Sequence, residues 1–308
     1  MSHAQAPQDS QRSHVFITAD DLRTAVETQP TTLRILDVRW QLGNTSGRND
    51  YEEQHIPGAL FADLDTQLAA PASPEAGRHP LPSLHALTDS VRCWGITHDH
   101  TVVVYDAVGG LSAARAWWLL RWAGITDVRI LDGGLPAWVS AGGPVASGNE
   151  TTTPTDIDLT AGHLPTITMD EAEGFPEHGI LLDARAPERY AGTHEPIDPR
   201  PGHIPGALNT PTAHFLNSDG QILPSVELID ILADTGVLDP DQAEDDSEGL
   251  VATSDQPVAV YCGSGVTASH AIAVLASLGI EAALYPGSWS QWSQDHTRPA
   301  ETGEHAEP

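Results

Sequence analysis

Residues 258–279 read VAVYCGSGVTASHAIAVLASLG, and residues 101–124 read TVVVYDAVGGLSAARAWWLLRWAG. Each stretch opens on a continuous apolar, β-branched run of buried-strand length and passes through a glycine-bearing loop. Each then takes up a helical pattern that closes on a glycine, Gly279 or Gly124, a common helix-ending residue. Strand, loop and helix in that order predict a mainly parallel sheet flanked by helices. The surrounding sequence repeats as well. LRILDVR (33–39), HIPGA (55–59) and DGGLPAW (132–138) are answered by ILLDAR (180–185), HIPGA (203–207) and PGSWSQW (286–292). Asp37/Asp183, His55/His203, Tyr105/Tyr261 and Trp138/Trp292 are offset by 146, 148, 156 and 154 residues, so only loops differ in length. The chain is therefore expected to be a duplicated α/β domain.

The first copy is placed at 14–146 and the second at 166–295. A linker rich in Thr, Pro, Gly and acids, 147–165, joins them, and an acidic tail follows at 296–308. The polar run 239–257 reads as an exposed acidic insertion. The ends, roughly 1–12 and 296–308, are expected to be loosely held.

Composition narrows the function. The 308 residues are 40% hydrophobic with a mean hydropathy of -0.23 and contain no apolar run of membrane-spanning length. The polar start, MSHAQAPQDSQRSH, lacks the apolar core of a secretory signal, so a cytoplasmic location is expected. All 14 cationic residues are Arg, against 43 Asp and Glu, for a net charge of -29. A field of that sign excludes nucleic acid and anionic membranes as partners. Two cysteines in different copies make no disulfide framework, and neither a CxxC pair nor a Cys/His cluster offers a metal site. No metal or organic cofactor is expected.

Chemistry concentrates at Cys262. It ends a strand and is followed by Gly263, Ser264, Gly265, Val266 and Thr267, with a helix expected from near Ala268. Ligands bind at the carboxyl ends of parallel strands. Glycines let such a loop curl its N–H groups inward, and the helix start adds positive potential. Both favour a thiolate there, and a persulfide one sulfur longer. The other copy has Asp106 at this point, and its loop, AVGGL, is expected not to form such an anion nest. Asp37, Arg39, His55, Asp183, Arg185 and His203 recur in both copies, so they are assigned to the fold. Cys93, beside Trp94 in an apolar stretch, is expected in the core.

The duplicated HIPGA motifs, the CGSGVTAS loop (262–269) and the DGG and GSW turns together resemble the tandem-domain rhodanese family over about 14–295. The resemblance implies two similar α/β domains, a first domain without catalysis, and Cys262 as carrier of a transferred sulfur. Thiosulfate-preferring members place cations after the cysteine; here Gly263 and Ser264 stand there, so no cation is expected beside the sulfur. The loop is similar to that of 3-mercaptopyruvate sulfurtransferases. That likeness implies that Ser264 works with His79 (in GRHPLP) and Asp65 (in FADLD), and that Arg189 (in PERYAGTHEP) and Arg200 bind the substrate carboxylate with the loop residues Gly263, Gly265, Val266 and Thr267.

The expected activity moves a sulfane sulfur from 3-mercaptopyruvate to a thiol, cyanide or thioredoxin. The alternatives are a thiosulfate:cyanide sulfurtransferase and a non-enzymatic sulfur-binding or sensing module. A phosphatase of similar fold would need Cys-x5-Arg, and Ala268 occupies the arginine position.

Overall fold

The apolar, β-branched runs form the middles of two parallel sheets. The computed structural model describes residues 10–238, 244–246, 249–251 and 256–303. In the first copy, β1 (Phe16–Ile17), β2 (Leu33–Asp37), β3 (Leu60–Phe61), β4 (Thr101–Tyr105) and β5 (Val128–Leu131) lie in the order β1-β5-β4-β2-β3. The second copy contributes β6 (Ile180–Asp183) and β7 (Leu208–Asn209). After a short antiparallel pair, β8 (Glu244–Asp246) and β9 (Gly249–Val251), come β10 (Val258–Tyr261) and β11 (Ala282–Leu284). Their order, β11-β10-β6-β7, repeats β5-β4-β2-β3. The register repeats too: Asp37 faces Tyr105 as Asp183 faces Tyr261. Apart from these two strands and its last two residues, the acidic insertion 239–257 lies outside the described residues.

The recurring residues form the same network twice. Tyr105 and Tyr261 hydroxyls accept from the Ile56 and Ile204 N–H groups at 3.0 and 3.1 Å. His55 stacks on Tyr51 and His203 on Tyr190. The Trp138 and Trp292 indoles donate to Pro144 and Pro299 carbonyls at 2.7 and 2.8 Å. Arg39 and Arg185 pair with Asp37 and Asp183 at 2.7 and 2.6 Å. Each pair gives a buried carboxylate behind a strand end its counter-charge, where an unpaired charge would be costly.

Helices Ala113–Trp122 and Val266–Ser277, which follow β4 and β10, pack on each other. Through them a single core runs from one copy into the other, with Trp118, Leu120, Ile272 and Leu275 buried in it. Burying each such side chain contributes roughly 1.5–3 kcal/mol, so the joint between the copies is held like an interior. The outer face of each sheet has a core of its own. The linker clings to the first copy, with Ile157 and Leu159 buried.

Two expectations are corrected. Residues 10–12 and 296–303 are tied into the fold: Arg12 donates to the Ile222 and Leu223 carbonyls, and Arg298 pairs with Asp170 and Glu173. Cys93 is exposed, because it ends the helix Leu84–Cys93 on the solvent side.

Candidate active site

Cys262 follows directly on β10 and is 1% exposed. The chain then turns through Gly265, whose φ of 77° lies in the left-handed region that glycine tolerates best. A Cβ at this position would also stand 2.7 Å from the Pro286 carbonyl oxygen. The turn points the Gly265 N–H at Cys262 Sγ, 3.2 Å away, and the helix begins at Val266, two residues earlier than the sequence suggests. The Cys262 N–H donates to Ser288 Oγ at 3.2 Å.

The pocket above the cysteine has a volume of about 300 Å³. Its lining includes Trp40 and Arg78 of the first copy and Arg189, Gly263, Val266 and Thr267 of the second. Ser264 Oγ lies 2.8 Å from His79 Nδ1, and His79 Nε2 lies 3.4 Å from Asp65 Oδ1. Trp40 steadies this line, donating to Asp65 at 3.0 Å and meeting the His79 ring edge-on. Burial, aided by the Arg115 and Arg78 charges, pulls His79 down to about 4, so the imidazole is neutral at physiological pH. A neutral ring has one donor, and the Asp65 carboxylate only accepts. Nε2 therefore carries the proton, and Nδ1 accepts from the Ser264 hydroxyl.

Arg189 is also at the pocket, held by Glu195 at 2.9 Å and Asp198 at 2.8 Å. Arg200 is not, which corrects its assignment to the substrate. Its guanidinium donates to the Arg298, Trp292 and Asp295 carbonyls and lies over the Trp289 ring, tying down the C-terminal segment.

Arg185 and Arg78 line the pocket too, and Arg78, next to His79 in sequence, is paired with Asp198. A Cβ on Gly263 would stand 2.9 Å from Arg78 Nη2 and 3.2 Å from Arg189 Nη1. Two cations thus flank the loop. The expectation of none was drawn from chain neighbours, whereas these come from elsewhere in the chain, Arg78 from a loop of the first copy and Arg189 from the short helix Pro187–Tyr190. The position of Arg78 beside His79 was the available signal.

The loop of the first copy also departs from expectation, because it does form an anion nest. The Asp106 carboxylate fills it, accepting from the Val108, Gly110, Ser112 and Ala113 N–H groups at 2.8–2.9 Å.

A family model for the rhodanese-like domain matches residues 18–141 and again 168–295. A Mycobacterium tuberculosis protein named putative thiosulfate sulfurtransferase SseB is 44% identical over 298 residues, covering 95% of this chain and 98% of that one. A probable 3-mercaptopyruvate sulfurtransferase of Pseudomonas aeruginosa is 41% identical, covering 94% and 98%. The crystal structure of Escherichia coli SseA, described as a 3-mercaptopyruvate sulfotransferase, superposes with a TM-score of 0.75 at 30% identity, covering 89% and 98%. The chain belongs to the rhodanese family of sulfurtransferases and carries two of its domains.

Proposed function

We propose that the protein transfers a sulfane sulfur from 3-mercaptopyruvate to a thiol or cyanide acceptor, with Cys262 as the carrier and the first domain, 14–146, catalytically inactive. The Cys262 thiolate attacks the mercaptan sulfur, an S–S bond forms, and the C–S bond breaks with its electron pair left on the pyruvate enolate. The mercaptan proton ends on the enolate carbon, giving pyruvate and the Cys262 persulfide anion. An acceptor thiol or cyanide then takes the outer sulfur and returns the thiolate. A small thiol or thioredoxin in the cytoplasm fits that second half.

The observation that carries the donor choice is the Ser264–His79–Asp65 line, assembled from both copies at the cysteine. Expelling an enolate needs a proton delivered, and a hydroxyl hydrogen-bonded to a neutral imidazole can relay one. Arg78 and Arg189 suit the substrate carboxylate. They also favour the second reading, thiosulfate, a dianion that leaves as sulfite without needing the relay.

Measuring kcat/KM for both donors decides between them. The expected preference for 3-mercaptopyruvate is about a hundredfold, the size of a single preorganised transition-state contact. Equal use of both donors refutes the donor choice. Because His79 stays neutral down to about 4, the ratio of the two kcat/KM values should hold from pH 7 to about pH 5 and fall only nearer 4. A fall centred on an ordinary histidine value of about 6.5 shows that the relay is not the neutral one described.

A further inference from the structure

Arg115, in the helix Ala113–Trp122 of the first copy, is 0% exposed. Its guanidinium donates only to carbonyl oxygens: Leu68 at 3.2 Å, His79 at 2.8 Å, Pro80 at 3.3 Å and Gly265 at 3.3 Å. Among the described residues no carboxylate pairs with it. A fully buried arginine without a counter-charge is rare and costly.

The other guanidinium groups around the pocket are matched. Arg78, Arg185 and Arg189 share Asp183, Glu195 and Asp198, three cations to three anions. Arg115 is the cation left over, and Gly265, whose carbonyl it holds, is the residue whose N–H meets Cys262 Sγ.

The duplication supplies a control. Counted back from the helix-ending glycines Gly124 and Gly279, the residue equivalent to Arg115 is His270. His270 lies against the opposite loop, where a Cβ on Gly110 would be 3.6 Å from its ring. There the anion, Asp106, is already satisfied by four N–H groups, and burial pulls His270 down to about 4, leaving it neutral. The cation stands only where the facing loop holds a sulfur.

We infer that Arg115 is the counter-charge of the Cys262 anion, a positioning residue that the first domain supplies to the sulfur-bearing loop of the second. Burial brings the guanidinium down to about 10, and the charge on Cys262 is what opposes that fall. The inference rests on Cys262 as the sulfur carrier.

The test uses the full chain with Cys93→Ser, since exposed Cys93 would compete for reagent. Alkylation of Cys262 by iodoacetamide is timed at slightly acid pH, where an ordinary thiol of pKa about 8.5 is protonated. Arg115→Met should slow alkylation at least tenfold, and Arg115→Lys, which keeps the charge, should recover most of the rate. An Arg115→Met protein that is folded by near-ultraviolet circular dichroism and alkylates at the parent rate overturns the inference. A second measurement leaves Arg115 in place. The thiolate absorbance of the Cys93→Ser protein is compared with that of Cys93→Ser/Cys262→Ser at the same pH. A thiolate signal is expected, and its absence overturns the inference whatever happens to the Arg115 variants. Both readouts follow the thiolate itself. Failure of the sulfur-carrier reading would appear separately, as no added sulfur on Cys262 in the mass spectrum of donor-treated protein.

Discussion

The loop after β4 and the loop after β10 begin at the same point of the same fold and end in opposite conditions. In the first, a carboxylate sits where four backbone N–H groups converge, and the loop is closed. Leu216 and Gly220 of the second copy press on Gly109, where a Cβ would meet them at 2.9 and 3.0 Å. In the second, a cysteine faces a pocket of about 300 Å³. The difference comes from the segment that each copy sends across to the other. Between HIPGA and LPS, found at 81–83 and 223–225, the first copy has 21 residues and the second 15. The longer segment carries Asp65, Arg78 and His79 to the rim of the Cys262 pocket. The shorter one covers the Asp106 loop and anchors there, with the Ile222 N–H donating to Asp132 at 2.8 Å. Duplication thus gave two versions of one strand–loop–helix turn. One is stopped with its own side chain and buried, and the other is left open and furnished by its neighbour.

The comparison breaks most sharply if transfer can be moved from one loop to the other. Cys262→Ser should abolish transfer from every donor, because a serine oxygen forms no persulfide, while stability changes by less than about 1 kcal/mol. Adding Asp106→Cys to that variant should restore nothing. The nest in the first copy would suit a persulfide, since an Asp Oδ lies two bonds beyond Cβ, as an outer sulfur would. What is missing there is access and a relay. Sulfur transfer by Cys262→Ser/Asp106→Cys would show that the covering segment does not isolate the loop.

The next largest effect is on stability. Asp106→Ala leaves four backbone N–H groups without their acceptor beneath the second copy. At roughly 1–3 kcal/mol for each unsatisfied buried group, with some relieved by water, a loss of about 4 kcal/mol is expected in chemical denaturation. Activity per folded molecule should stay within a few-fold. A variant as stable as the parent would mean that the carboxylate does not hold the loop together.

Much of this asymmetry was legible in the chain, and the reason lies in which relations are local. The duplication, the strands, the Cys262 loop and the assignment of the recurring Asp, Arg and His residues to the fold follow from spacing and from recurrence in both copies. Ser264, His79 and Asp65 were named through family likeness, and the fold brings them together across 185 residues. Arg78 and Arg115 were missed because the contacts that give them a role, to Asp198 and to Gly265, lie in the other copy, and nothing in a linear motif marks a helix residue as facing a distant loop. Arg200 was misplaced for the complementary reason. Proximity to Arg189 in sequence says little once the turns and bends of residues 191–199 come between the two. The Asp106 nest was missed because only spatial convergence reveals that four N–H groups share one carboxylate.

The smallest effect concerns the turn that closes each loop from behind. Gly134 in the first copy and Ser288 in the second occupy equivalent positions, and both are left-handed, at φ 58° and 52°. Each is followed by a residue whose N–H donates to the preceding loop: Leu135 to the Asp106 carbonyl at 2.8 Å, Trp289 to the Cys262 carbonyl at 2.9 Å. Glycine adopts that conformation freely, whereas a serine there costs roughly 1–2 kcal/mol. Ser288 offsets the cost by bonding: its hydroxyl accepts from the Cys262 N–H and donates to the Tyr285 carbonyl at 2.9 Å. Ser288→Gly should therefore be nearly neutral for stability, since relieved strain cancels the loss of one or two hydrogen bonds worth about 1 kcal/mol each. The backbone of Cys262 would lose its anchor, so kcat for sulfur loading should fall a few-fold with KM almost unchanged. Loss of stability well beyond 1 kcal/mol would show that the serine holds more of the domain than this one turn. An unchanged kcat would show that the anchor behind the cysteine is not part of what separates the two loops.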